Sequence, residues 1–88
     1  MSDQLTELRR RIDECDEHIV RWVNERLRVA QEIGAFKAAR GMEVRMPDRE
    51  EEVIARVLGQ SEGPCPPDVL EKVYRLLIDT AVALEEPH

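Results

Sequence analysis

The sequence predicts an all-α protein in which three helices per chain, one long and two shorter, form an intertwined homodimeric bundle. Three observations carry this expectation. Apolar residues recur at helical spacing along the whole chain. Strong turn signals fall at few internal places, Gly41 to Pro47 and the run GPCPP at 63–67. The first helix is also too long for its own chain to cover. The 88 residues are read as a single domain, 1–88. A lone chain of this size buries only about 60–65 % of its unfolded surface, which makes a monomer marginal.

In the first segment the apolar positions run Leu5, Leu8, Ile12, Cys15, Ile19, Trp22, then Val29, Ile33 and Phe36. With Arg26 counted between Trp22 and Val29, the steps alternate three and four, the mark of a sustained heptad stripe. A helix over 4–40 would be about 55 Å long at 1.5 Å per residue. An 88-residue globule is only about 25–30 Å across. Such a helix must lie against a second copy. The second helix is expected over 47–60. Pro47 suits a first helical position, and Asp48, Glu50 and Glu51 complement the helix N-terminus. Its apolar face is Val53, Ile54, Val57 and Leu58, with Glu50 on that side and Glu51 and Glu52 mostly off it. The third helix is expected over 67–85. Its stripe is Val69, Leu70, Val73, Leu76, Leu77, Thr80, Ala81 and Leu84, and Ile78, Ala81 and Val82 share a side with Glu85. Aromatic residues are only Trp22, Phe36 and Tyr74, so the core is expected to be aliphatic.

Composition narrows the function classes. Apolar residues are 42 % and charged residues 36 %, a globular balance. The net charge of −6 opposes nucleic acid and anionic membranes as partners. No apolar run approaches the roughly 20 residues of a membrane span, and MSDQLTELRR has no signal-like apolar stretch. A cytoplasmic address is expected. Cys15 and Cys65 are read as reduced thiols, and His18 and His88 stand alone, so no metal site and no cofactor is expected.

Ionisable residues on or beside apolar faces carry the functional signal. They are Arg26 and Lys37 on the first helix, Arg49 and Glu50 on the second, and Glu85 on the third. One reading pairs them as internal salt bridges, whose net stabilisation is small because desolvation offsets attraction. The other is a cation-lined pocket between helices. Arg favours bidentate binding of carboxylates or phosphates. No Ser or Cys stands beside a His, so covalent catalysis is not indicated. An enzyme with this pattern would work by orientation and electrostatics.

These residues resemble the all-helical class of chorismate mutases. The segment LRRRIDECD at 8–16 is similar to the family's opening L-R-x-x-I-D-x-x-D. ERLRVAQEIGAFK at 25–37 matches its Arg, Gly and Lys spacing, and VRMPDRE at 44–50 is close to its loop ending in D-x-x-R-E. The resemblance implies an intertwined dimer of three-helix chains and a cofactor-free Claisen rearrangement of chorismate, a small dicarboxylate, to prephenate. It implies that Arg9 reaches a substrate carboxylate from the second copy and that Arg26 binds a carboxylate within its own copy. Lys37 would approach the ether oxygen of the breaking bond, Arg49 would line the pocket, and Glu50 would bind the ring hydroxyl. Ile33, Val53, Ile78 and Val82 would form apolar walls, and Gly34 would allow close helix packing. Three positions depart from the family pattern. Met46 stands where an aspartate is common, Ala81 where a serine can touch a carboxylate, and Glu85 where bacterial members carry glutamine beside the ether oxygen. An ionised glutamate only accepts hydrogen bonds, so Glu85 must carry a proton to donate one there. Two other functions remain compatible with the sequence. One is isochorismate pyruvate lyase, and the other is a non-catalytic or partner-activated module serving an enzyme of aromatic biosynthesis.

Overall fold

The computed structural model describes residues 2–86. Three helices follow in order, α1 (Ser2–Ala39), α2 (Pro47–Gln60) and α3 (Pro67–Glu85). The bounds expected for α2 and α3 hold, and α1 begins two residues before the expected start and ends one residue short. None of these helices is long and apolar enough to cross a membrane.

Local chemistry explains the ends. Gly41 adopts the left-handed region (φ 63°), which has no penalty without a Cβ. The Met42 N–H donates to the Lys37 carbonyl at 2.9 Å and the Gly41 N–H to the Ala38 carbonyl at 3.4 Å. Together these bonds close a Schellman motif that stops α1. Both α2 and α3 start with Pro in the first turn after an extended residue, Met46 or Pro66. On the outer face of α1, Arg10 bridges Glu7 and Glu14, and its hydrogen bonds hold the Glu7 carboxyl below the usual carboxylate range. All three side chains are more than half exposed, so these pairs contribute little to stability.

α3 is the hub. It packs on α1 along one side and on α2 along another, whereas α1 and α2 do not pack on each other. The small core is Val53, Ile54, Val57 and Ile78, flanked by Leu58 and Tyr74. Ala30 and Ala81 are buried where α1 meets α3.

The stripe of α1 stays uncovered by its own chain, as its length implied, and that of α3 differs in part from the reading of the sequence. On α1 the residues that lose solvent are Val23, Arg26, Leu27, Ala30, Gly34 and Lys37, with Ala30 and Gly34 buried, a face mostly beside the heptad stripe. The stripe itself stays open, with Ile12 61 % exposed and Leu5, Leu8, Ile19, Trp22 and Phe36 similarly bare. On α3, Leu70, Tyr74, Leu77, Ile78 and Ala81 turn inward, while Val69, Val73, Leu76 and Thr80 remain exposed. Small Ala30 and Gly34 let α3 approach one flank of α1, and that contact leaves the neighbouring apolar stripe without a partner in the chain. The molecule is correspondingly extended, 60 × 25 × 16 Å, with a radius of gyration of 16.7 Å. A compact domain of this length would have about 12 Å.

Candidate active site

Because α1 and α2 are each held by α3 and not by one another, a cleft remains between them. It encloses a cavity of about 560 Å³, within the range that accepts a small-molecule ligand. α1 supplies Arg26, Ile33 and Lys37 to its wall. The connector and α2 supply Met46, Arg49, Glu50 and Val53. Ile78, Ala81, Val82 and Glu85 come from α3. Every candidate site residue named from the sequence is therefore at the cavity except Arg9. Arg9 lies on the exposed N-terminal half of α1, about 25 Å along the axis from Arg26 at 1.5 Å per residue.

At one end of the cavity Lys37 and Glu85 meet. Their charged atoms are 3.6 Å apart, and the side chains are only 13 % and 9 % exposed. Lys37 Nζ also donates to the Val44 carbonyl at 2.7 Å, and the Lys37 carbonyl belongs to the turn that ends α1. This lysine is thus fixed at both its backbone and its tip. Gly34 makes the encounter possible. A Cβ there would lie 2.7 Å from Glu85 Cα and 2.9 Å from its carbonyl oxygen, inside any real contact distance. The close helix packing expected at Gly34 is present, and it falls at the backbone of Glu85.

Glu50 is the buried charge of α2, 8 % exposed. Its Oε1 accepts hydrogen bonds from Arg75 at 2.8 Å and from Arg45 at 3.5 Å. Its Oε2 is buried and has no hydrogen-bond partner. A buried acceptor without a partner carries a desolvation penalty of about 1–3 kcal/mol, and more when charged. Arg26 makes no ion pair among the described residues and stands 5.8 Å from the centre of the Tyr74 ring, a loose cation–π contact. Arg49 pairs outward with Glu52 at 3.2 Å.

The salt-bridge reading and the pocket reading each describe part of this geometry. Lys37 pairs with Glu85, but Glu50 pairs with Arg45 and Arg75 and not with its neighbour Arg49. Sequence reasoning missed several participants. Arg56 lies one heptad after Arg49 and adds a further cation to the wall, so its spacing held a usable signal. Trp22 and Glu25 also line the cavity, within about one turn before Arg26. Arg75 reaches Glu50 from 25 residues away, and Val44 acts through a backbone carbonyl. Neither leaves a trace in local pattern. Among the described residues, no cluster of three or more His, Cys, Asp and Glu is arranged to hold a metal.

Fold and site together define a helical-bundle chain with a cation-rich, ligand-sized cavity between its helices. The chain belongs to the chorismate mutase type II family, which matches residues 8–86. It is 34 % identical over 88 residues to the bifunctional chorismate mutase/prephenate dehydratase of Aquifex aeolicus, a match covering 96 % of this chain and 24 % of that protein. It is 27 % identical over 89 residues to the chorismate mutase of Methanocaldococcus jannaschii, covering 100 % of this chain and 90 % of the relative. Among solved structures it is similar to form II of the chorismate mutase from Thermus thermophilus. That match has a TM-score of 0.91 and 30 % identity, and it covers 97 % of each chain. The chain spans about a quarter of the length of the bifunctional relatives.

Proposed function

We propose that this chain is a chorismate mutase, rearranging chorismate to prephenate without cofactor or covalent intermediate. The observation that carries the reading is the meeting of Arg26, Lys37, Glu50 and Glu85, drawn from three helices, at one ligand-sized cavity. The Arg26 guanidinium binds one substrate carboxylate. Lys37 Nζ, which keeps its contact with Val44, donates to the ether oxygen as the C–O bond breaks and negative charge gathers there. Glu85, 3.6 Å from Lys37, donates a second hydrogen bond at the same oxygen only in its protonated form. The Glu50 carboxylate accepts from the ring hydroxyl. Arg49 adds positive potential, and Ile33, Val53, Ile78 and Val82 hold the ring in the folded conformation that brings the new C–C bond together. Met46 and Ala81 offer apolar surface where the family pattern has polar side chains.

Arg9 enters this scheme through a homodimer. The exposed stripe from Leu5 to Phe36 and the bare side of α3 are the surfaces a second copy would cover. Crossing of the two long α1 helices would bring Arg9 of one copy to the other's cavity, where it would bind the second carboxylate. A cytoplasmic location fits this chemistry. The bifunctional relatives join the mutase to prephenate dehydratase. A partner that consumes prephenate is the matching reading for this chain.

The test is the loss of chorismate absorbance on adding purified protein at several pH values, with the product identified. Prephenate as product supports the assignment. Release of pyruvate from isochorismate instead would make the chain a lyase, and no turnover without a partner protein would make it a dependent module.

A further inference from the structure

Glu50 presents one oxygen to two arginines and keeps the other buried and unpartnered, an asymmetry that asks what holds it in place. Arg75 on α3 is forked across two successive carboxylates of α2. Its Nη1 donates to Glu50 Oε1 at 2.8 Å and its Nη2 to Glu51 Oε1 at 2.9 Å. Arg45, in the connector, donates from Nη1 to the same Glu50 oxygen at 3.5 Å and from Nη2 to Asp79 on α3 at 2.8 Å. Each arginine is thus tied at its other end, Arg75 by Glu51 and Arg45 by Asp79. Arg75 makes the shorter bond to Glu50 and bridges two helices, so it dominates. A carboxylate can rotate about its last bond and exchange its oxygens. With Oε1 anchored in this way, the free lone pairs remain on Oε2.

We infer that Arg75 is a positioning residue, which, supported by Glu51, holds the Glu50 carboxylate at the cavity wall as the acceptor for a hydroxyl on the bound ligand. Arg75 does not line the cavity and touches no reacting atom. Its effect passes through Glu50. The inference rests on the proposed function in one respect only, that the cavity binds a dicarboxylate bearing a ring hydroxyl.

The experiment measures calorimetric binding of two bicyclic dicarboxylate mimics of the rearrangement transition state, one with the hydroxyl and one without it. Wild-type protein is compared with Arg75→Gln, Arg75→Lys and Glu51→Gln. A charge-assisted hydrogen bond of this kind is worth on the order of a tenfold change in affinity. Wild type should therefore prefer the hydroxylated mimic about tenfold. Arg75→Gln should lose most of that preference while binding the mimic without hydroxyl as before. Arg75→Lys, with a single-point donor in place of the fork, should regain only part of it. Glu51 is exposed, so Glu51→Gln should fold normally and show a smaller loss in the same direction. An equal loss on both mimics would make Arg75 merely structural and overturn the inference. So would an unchanged preference in Arg75→Gln, or in Glu51→Gln should the former fail to fold. If wild type itself binds neither mimic, the functional reading fails instead, and if it binds both equally, the role given to Glu50 fails.

Discussion

Arg26 shows how a single side chain can define a pocket. A guanidinium placed on a helix face that also carries Ala30 and Ile33 needs a reason, because its desolvation is not offset by an ion pair. Under the proposed function that reason is an anionic ligand in the cavity. Arg26→Ala should lower kcat/KM for chorismate by about 100–1,000-fold, the range for removing one preorganised charge contact. Near-normal turnover in a folded variant would remove Arg26 from the site. Glu85 makes a second prediction at this scale. It can donate at the ether oxygen only when protonated, whereas Glu85→Gln supplies a permanent donor, so the variant should keep or raise kcat at neutral pH. A folded Glu85→Gln variant that loses turnover would show that the amide cannot replace the carboxyl group there.

At the scale of the helices, the contact of α1 with α3 determines the site. Gly34 stands under Glu85, three residues before Lys37, so the same close approach that joins the helices also joins the ion pair. A methyl group added there meets backbone, which has no rotamer to escape into. Overpacking of this kind costs about 1–3 kcal/mol. It is only partly offset by the gain of Ala over Gly within a helix, about 1 kcal/mol. Gly34→Ala should therefore lower Tm and, by moving α3 away from α1, reduce kcat more than it raises KM. Thermal unfolding followed by steady-state kinetics checks both. Full activity would show that the Lys37–Glu85 spacing is not needed for turnover.

For the whole molecule, the decisive feature is the mismatch between a helix of about 57 Å, 38 residues at 1.5 Å each, and the shorter α3, the one helix of the chain that packs on it among the described residues. Ile12, Ile19 and Trp22 on α1 and Leu76 on α3 would leave many large apolar side chains bare in a monomer, and extensive exposed apolar surface marks an interaction site. Sedimentation at micromolar concentration should find a dimer, and Tm should rise with protein concentration, as mass action requires. Ile12→Glu, placed in the N-terminal part of the bare stripe, should shift the equilibrium toward monomer. Under the proposed dimer, activity should fall with it, because Arg9 of the second copy would no longer reach the cavity. A monomeric wild type with full activity would refute the intertwined arrangement.

The three helices were legible in the sequence because their signals are local. Pro47 and Pro67 open the shorter helices, Gly41 closes the long one, and the apolar positions keep the helical period. The cavity residues were legible because charges such as Arg26 and Glu50 interrupt apolar faces, and because their spacing matches a family pattern. The face by which α1 meets α3 was not legible. Ala30 and Gly34 form a weak stripe beside a strong one, and hydrophobic periodicity cannot say which of two adjacent stripes a chain covers itself. Arg75 and Arg45 were hidden for a different reason, since their partnership with Glu50 is a contact between separate elements. The sequence by itself determined the helices, their ends and most of the charged groups at the cavity, because each depends on neighbours within a few turns. Only the tertiary structure decided that Lys37 meets Glu85 over Gly34 and that Glu50 keeps one oxygen free, because those distances exist only once α3 has packed against both other helices.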